Sequence, residues 1–215
     1  MYQFKLVIFD WDGTLMDSIA RIVSSVQAAA RTNNFRLPSD QEAKSIIGLS
    51  LPQAVAQLFP ETSITQQNNF IQTYKSQYVE LNTTASPLFD GVKPLLARLQ
   101  QEDKLLAVAT GKGRAGLERV WQATNTGHYF HASRCAGEVA SKPEPEMLTS
   151  LLSELQVLPS EAVMIGDTRY DMEMAQRAGV ARIGVTLGVD DRDVLSDYQP
   201  IAIVDSLSEL DSILQ

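Results

Sequence analysis

The chain has one cysteine and two histidines among its 215 residues. A single thiol, Cys135, excludes an internal disulfide and suits a reducing compartment. Its surroundings read as an apolar strand, which makes it a small core residue rather than a nucleophile. So few thiols and imidazoles leave no cluster of the kind that zinc prefers. No apolar run approaches the roughly 20 residues of a membrane span. Lys5 and Asp10 interrupt the apolar start, so neither a membrane segment nor a secretory leader is expected, and a cytoplasmic protein is. The chain also lacks a basic block: 26 acidic residues face 18 basic ones, for a net charge of −8. Nucleic acid is therefore disfavoured as a partner, and the overall field repels small anions, so local positive charge must draw one in. No Gly-x-Gly-x-x-Gly follows the first apolar run, which argues against dinucleotide binding. There is no repeat and no low-complexity tract.

What is present centres on Leu6-Val-Ile-Phe-Asp-Trp-Asp-Gly-Thr-Leu-Met-Asp-Ser18. In an extended segment alternate side chains share a face, so Asp10 and Asp12 point the same way at a strand end while Trp11 points the other. Gly13 permits a turn that a side chain would resist, and Thr14 can offer a hydroxyl and an amide to an anion. Such an end suits a metal and a phosphate.

Residues 5–9 read as a buried strand. Helical spacing follows in Ile19, Ile22, Val23 and Val26, starting at Asp17 or Ser18 and running to about Arg31. A second helix is expected from Pro38-Ser39-Asp40 to about Ile47, with Gly48 as its stop signal. A short one opens at Leu51-Pro52, and a long one covers 64–81. From Pro87 the pattern changes to alternating helices (91–102, 114–123, 144–155, 170–178) and strands (105–109, 132–136, 162–165, 180–185, 201–204), closed by a helix to Leu214. That alternation predicts an α/β fold: a doubly wound parallel sheet covered on both faces, with a small helical domain inserted after the first strand. The expected division is 1–16 plus 87–215 for the core and 17–86 for the insertion. Linkers fall at 15–17 and 82–88. Ligands in such sheets sit at the carboxyl ends of strands, where Asp10 and Asp12 lie, and the insertion is placed to cover them.

Three further segments carry chemistry. Thr110-Gly-Lys-Gly113 ends a strand and opens a helix, an arrangement that either binds an anion or simply turns the chain. Lys142 lies in Ser141-Lys-Pro-Glu-Pro145, held just before a helix start by its prolines. In Gly166-Asp-Thr-Arg-Tyr-Asp171 the acids can cap the next helix or both face the strand ends.

Asp10-x-Asp12-Gly13-Thr14 matches the first motif of the haloacid dehalogenase superfamily, and the other three segments match its second, third and fourth motifs in order. The likeness covers nearly the whole chain and is nearest to phosphoglycolate phosphatases with a small helical cap. It implies a Rossmann-like core and magnesium-dependent hydrolysis of a small phosphorylated metabolite through an aspartyl-phosphate. Asp10 is then the nucleophile and Asp12 the acid and base. Thr110, Gly111 and Lys142 bind the phosphoryl group, and many relatives carry Asn where this chain has Gly111. Magnesium is held by Asp10, Asp167 and Asp12, the last through its backbone carbonyl, with Asp171 orienting metal-bound water or Lys142. The charge balance agrees: four acids against one lysine cannot receive a phosphate without a divalent cation, and oxygen ligands favour magnesium over zinc. A phosphomutase would keep both Asp10 and Asp12, and a non-catalytic phospho-ligand-binding module would have lost the nucleophile. A dehalogenase needs no Asp12, and a phosphonatase would need a cap lysine, for which Lys44 is a poor candidate. The basic residues between Asp17 and Ser86 form no evident clamp for a second phosphate.

Overall fold

The computed structural model describes residues 4–215; residues 1–3 of the expected core segment lie outside it. Six strands form one sheet: β1 (Leu6–Phe9), β2 (Leu105–Thr110), β3 (Ala132–Cys135), β4 (Ala162–Gly166), β5 (Ala181–Val185) and β6 (Ala202–Val204). Their order is β3-β2-β1-β4-β5-β6, and every pairing is parallel. The chain winds outward from β1 in both directions, so the switch point lies there. Phe9 is in register with Val108 on one side and Ile165 on the other. The residues that follow, Asp10, Thr110 and Asp167, are thereby delivered to one edge of the sheet.

Alternation of side chains along buried strands produces two separate apolar layers. Val7, Phe9, Val108 and Ile165 pack on α5 (Val92–Gln101), α6 (Arg114–Thr124) and α10 (Leu207–Ile213), through residues such as Leu96, Leu117 and Leu210. Leu6, Ile8, Ala107 and Met164 pack on α7 (Glu146–Leu155) and α8 (Arg169–Arg177), through Met147, Leu151 and Met174.

Between β1 and α5 lie α1 (Ile19–Thr32), α2 (Asp40–Ser45), α3 (Leu51–Leu58) and α4 (Ile64–Ser76). Their inward residues, among them Ile22, Val26, Val55 and Phe70, form a third apolar cluster, with Val189 of the core packed against its edge. Ser39 and Ser63 open α2 and α4 with reciprocal capping boxes to Glu42 and Gln66. The two connections to this segment run side by side: the Asp17 amide donates to Pro87 O at 2.8 Å, and the Phe89 amide donates to Leu15 O at 3.0 Å.

Several elements differ from expectation, most of them only by a residue or two at an end. The helix expected over 64–81 stays regular only to Ser76 and continues as a π-helical turn, Gln77–Leu81. Arg21 from α1 accounts for this, because its guanidinium donates to Tyr78 O at 2.7 and 3.0 Å and draws that carbonyl out of the ladder. The second helix ends at Ser45 instead of Ile47, tightened by the Ile47 and Leu49 amides bonding back three residues, with Gly48 at φ +98°. A short helix, α9 (Arg192–Ser196), carries too few residues for a periodic signal. Strand β6 begins at Ala202, one residue later than expected. Among the described residues no helix is long and apolar enough to cross a membrane.

Leu96 is fully buried on α5. Its truncation to Ala is expected to lower the unfolding free energy by about 2–5 kcal/mol, measured by urea denaturation, because the sheet above it cannot collapse into the gap.

Candidate active site

Asp10 follows β1 and is buried, with Asp167 after β4 and Asp171 on the first turn of α8 beside it. One carboxylate oxygen from each of these three acids lies within 4.8 Å of the others. Backbone turns make this crowding possible. Gly13 takes φ +84°, and a Cβ there would stand 2.2 Å from Asp167 Oδ2; one on Gly188 would stand 1.9 Å from the same atom. Asp167 is thus gripped between two glycines, with the Thr14 hydroxyl donating to Oδ1 at 2.7 Å and the Val189 amide to Oδ2 at 3.0 Å. Asp190 secures that second loop by accepting the Arg169 amide at 2.7 Å and its guanidinium at 2.8 Å.

Lys142 is the counter-charge. Its Nζ lies 2.8 Å from Asp10 Oδ1 and 2.6 Å from Asp171 Oδ1, and its side chain has no exposed surface. The Lys142–Pro143 peptide is cis. Burial works against the ammonium's charge, but Asp10 and Asp171 outweigh it and hold the group protonated. Burial also dominates at Asp10 and pushes its carboxyl up to about 7, opposed by Lys142 and aided by Asp171. Asp167 is raised for the same reason, with Asp10 and Asp171 adding to it. Three buried acids against one ammonium leave negative charge in excess.

The donor set therefore fits a small divalent cation. It is all oxygen, and charge is what it lacks. Asp10 and Asp167 have the freer oxygens for it. Asp171 is more fully engaged: Oδ1 receives Lys142, and Oδ2 receives the Thr168 amide at 3.1 Å and hydroxyl at 2.7 Å. Asp171 thus lies in direct contact with Lys142.

The side chain of Asp12 stands apart from this cluster. It accepts from Ser18 Oγ at 2.6 Å and pairs with Lys112 Nζ at 2.9 Å. Thr110 is buried at the end of β2, and its Oγ1 accepts the Lys112 amide at 3.2 Å. Asp10, Asp12, Thr110 and Gly111 line one cavity together with residues of the helical segment. Over Gly111 that segment closes tightly: a Cβ there would lie 2.5 Å from Gly48 O and 2.7 Å from Leu49 O. Tyr170 ties down the same loop by donating to Ser45 O at 3.0 Å.

All the expected site residues, Asp10, Asp12, Thr110, Gly111, Lys142, Asp167 and Asp171, lie at this one edge of the sheet. Lys112, Arg119 and the Gly188–Asp190 loop were not expected there. Lys112 carried a signal, since it follows Gly111 in the second motif. A glycine just after β5 was a weaker hint of close approach. Arg119, on α6, carried none.

The description "haloacid dehalogenase-like hydrolase" belongs to the family whose pattern matches residues 7–185. The probable phosphatase IndB of Dickeya dadantii is 35% identical over 209 residues, covering 95% of this chain and 91% of that protein. A phosphoglycolate phosphatase of Pasteurella multocida is 30% identical, with both chains covered in full. Among solved structures, a hydrolase from Pseudomonas syringae superposes with a TM-score of 0.87 at 22% identity, covering 98% of this chain and 100% of that one.

Two outcomes follow from the geometry. A carboxyl raised from 3.8 to about 7 keeps a proton in the folded state that the unfolded chain releases. Its contribution to stability is present at low pH and lost as pH rises through roughly 4 to 7. Urea unfolding in chelator across that range should show this loss, Asp10→Asn should flatten it, and magnesium should offset it most at the alkaline end. In Gly111→Asn, the new Cβ meets backbone on the closed loop and should destabilise closure by about 1–3 kcal/mol. Limited proteolysis at 45–50 should then speed up.

Proposed function

The chain belongs to the haloacid dehalogenase-like hydrolase family, and we propose that it is a magnesium-dependent phosphatase hydrolysing a small phosphomonoester through an aspartyl-phosphate on Asp10. The observation that carries this is the cluster of three buried carboxylates, two of them paired with one buried ammonium, at the sheet switch point, beside a cavity that Asp10, Asp12 and Thr110 share. Its likeness to phosphoglycolate phosphatases supports the reaction class.

A carboxylate oxygen of Asp10 attacks phosphorus in line, and the ester oxygen leaves opposite it. Asp12, as the general acid, gives a proton to the leaving oxygen. Its carboxylate then takes a proton from water, which attacks the aspartyl-phosphate, frees Asp10 and releases phosphate. The Thr110 hydroxyl, the Gly111 amide and the Lys142 ammonium stabilise the transferring oxygens. Asp171 and Thr168 keep Lys142 aimed. Asp10 and Asp167, with the Asp12 backbone carbonyl, would hold magnesium, which supplies the positive charge that lets two anions meet.

Asp12 accepts from Ser18 and pairs with Lys112, so its proton transfer depends on those contacts loosening when an ester enters. Residues 17–86 act as a cap domain, and the paired linkers at Asp17–Pro87 and Leu15–Phe89 serve as its hinge.

Phosphate release from a panel of phosphomonoesters should require magnesium and disappear in chelator. Asp10→Asn should abolish turnover while leaving the melting temperature within a few degrees of wild type or above it. Residual turnover at the wild-type rate in that variant would remove Asp10 from the nucleophile's role.

A further inference from the structure

We propose that the alcohol half of the substrate is an apolar, ring-sized group seated among the cap helices, not a small carboxylate-bearing group such as glycolate. This rests on the phosphatase reading and narrows it to a substrate class.

The cavity that begins at Asp10, Asp12 and Thr110 has a volume of about 400 Å³. Its lining includes Leu49, Leu51, Tyr74 and Val79, which keep exposed apolar surface, beside the buried Ile47 and Phe70. A phosphoryl group against Asp10 and Thr110 fills only the polar end. An apolar lining rewards whatever removes it from water, and glycolate would leave most of it uncovered. Aromatic surface is also present, since Tyr74 and Tyr78 line the same cavity with their rings stacked at 5.9 Å.

The basic residues around the cavity point the same way. Arg114 is held by Glu138 at 2.8 Å and by Ser133 Oγ at 2.7 Å. Arg21, over the Tyr78 ring, is committed to the carbonyls of Tyr78 and Thr84. A carboxylate on the leaving group would have Arg119, 6.0 Å above the Tyr78 ring, and the exposed Lys75 to draw on. Arg119 over an aromatic face makes a lip that also accepts a flat ring.

The test compares kcat/KM for 1-naphthyl phosphate and phosphoglycolate with the full chain and magnesium. The naphthyl ester should be favoured by about tenfold or more, the scale on which apolar pockets discriminate. Filling the cavity with Ala54→Phe should lower that preference by a similar factor. Ala54 is buried, so Leu51→Trp, at a half-buried lining position, provides a second filling should the first disturb the cap. Calorimetry with the Asp10→Asn variant reads binding of the same two esters without turnover.

Preference for phosphoglycolate, lost in Arg119→Ala, would overturn the inference and make Arg119 the reader of a carboxylate. Equal turnover of both esters, with the ratio unmoved by either filling, would overturn it too and leave the cavity as loose packing of the cap. Tight binding of 1-naphthyl phosphate that the fillings weaken, without phosphate release from either ester, would uphold the apolar site and count against the phosphatase reading alone. Absence of binding and of turnover for the naphthyl ester would overturn the inference.

Discussion

The buried ammonium of Lys142 is the contact on which the rest depends. Burying one charge without a partner is prohibitive, and here an ammonium and three carboxylates are all withdrawn from water. Lys142 makes Asp10 and Asp171 tolerable to each other, and they in turn keep it charged. The four groups come from three segments far apart in sequence, at residues 10, 142 and 167–171, and meet because the strands end in register. Glycines at positions 13, 166 and 188 give the approach its tightness, each facing an acid where a Cβ would collide. Chain reversal, sheet register and local glycine placement thus converge on one electrostatic arrangement. Its remaining deficit of positive charge is the physical opening for a cation and an anionic substrate.

The cap is coupled to this arrangement through a few specific contacts. Lys112 reaches from the core to Asp12 and stands 5.0 Å over the Tyr78 ring, so one ammonium touches the proposed acid and an aromatic of the cap. Arg21 distorts the helix that presents Tyr78 and fixes its direction. The loop at Gly48 and Leu49 lies so close on Gly111 that closure and the missing side chain are a single feature. An asparagine there would add a side-chain amide at the proposed phosphoryl site. It would also hold the cap off, so glycine trades one polar contact for a tighter lid.

Much of this was legible in the residues because the signals were local and repeated. Alternating strands and helices, acids at strand ends and a lysine before a helix each follow from chain geometry over a few positions. The doubly wound sheet and the placing of Asp10 at a strand end are read that way, whereas the joining of Lys142, Asp167 and Asp171 to Asp10 was implied by the resemblance of their segments to the superfamily's motifs. The pairing of Lys112 with Asp12 was not legible, since it joins two loops whose separation only the folded sheet sets. The Gly188–Asp190 loop closes on Asp167 through a backbone amide, which no side-chain pattern announces. The π-helical turn likewise arises from an arginine over fifty residues away taking a carbonyl, a tertiary effect that overrides the helical period.

The cap's apolar cluster has two duties that pull against each other. As the interior of a small helical unit it should be dense, since voids forfeit contacts on their lining. Yet residues of that cluster, Val55, Leu58 and Phe70 among them, also line the cavity that runs to Asp10. A core left open towards the site is stable only because it borrows walls from elsewhere. Here the core supplies α6 and the Thr110–Gly113 turn on one side, and Val189 packs at the edge on the other. In the proposed opening of residues 17–86 those walls would be lost and apolar surface exposed, so closure would be favoured by the same burial that would hold an apolar leaving group. Recognition and closure are then one transfer from water, and a substrate that leaves the cavity unfilled forgoes part of the free energy that closes the lid.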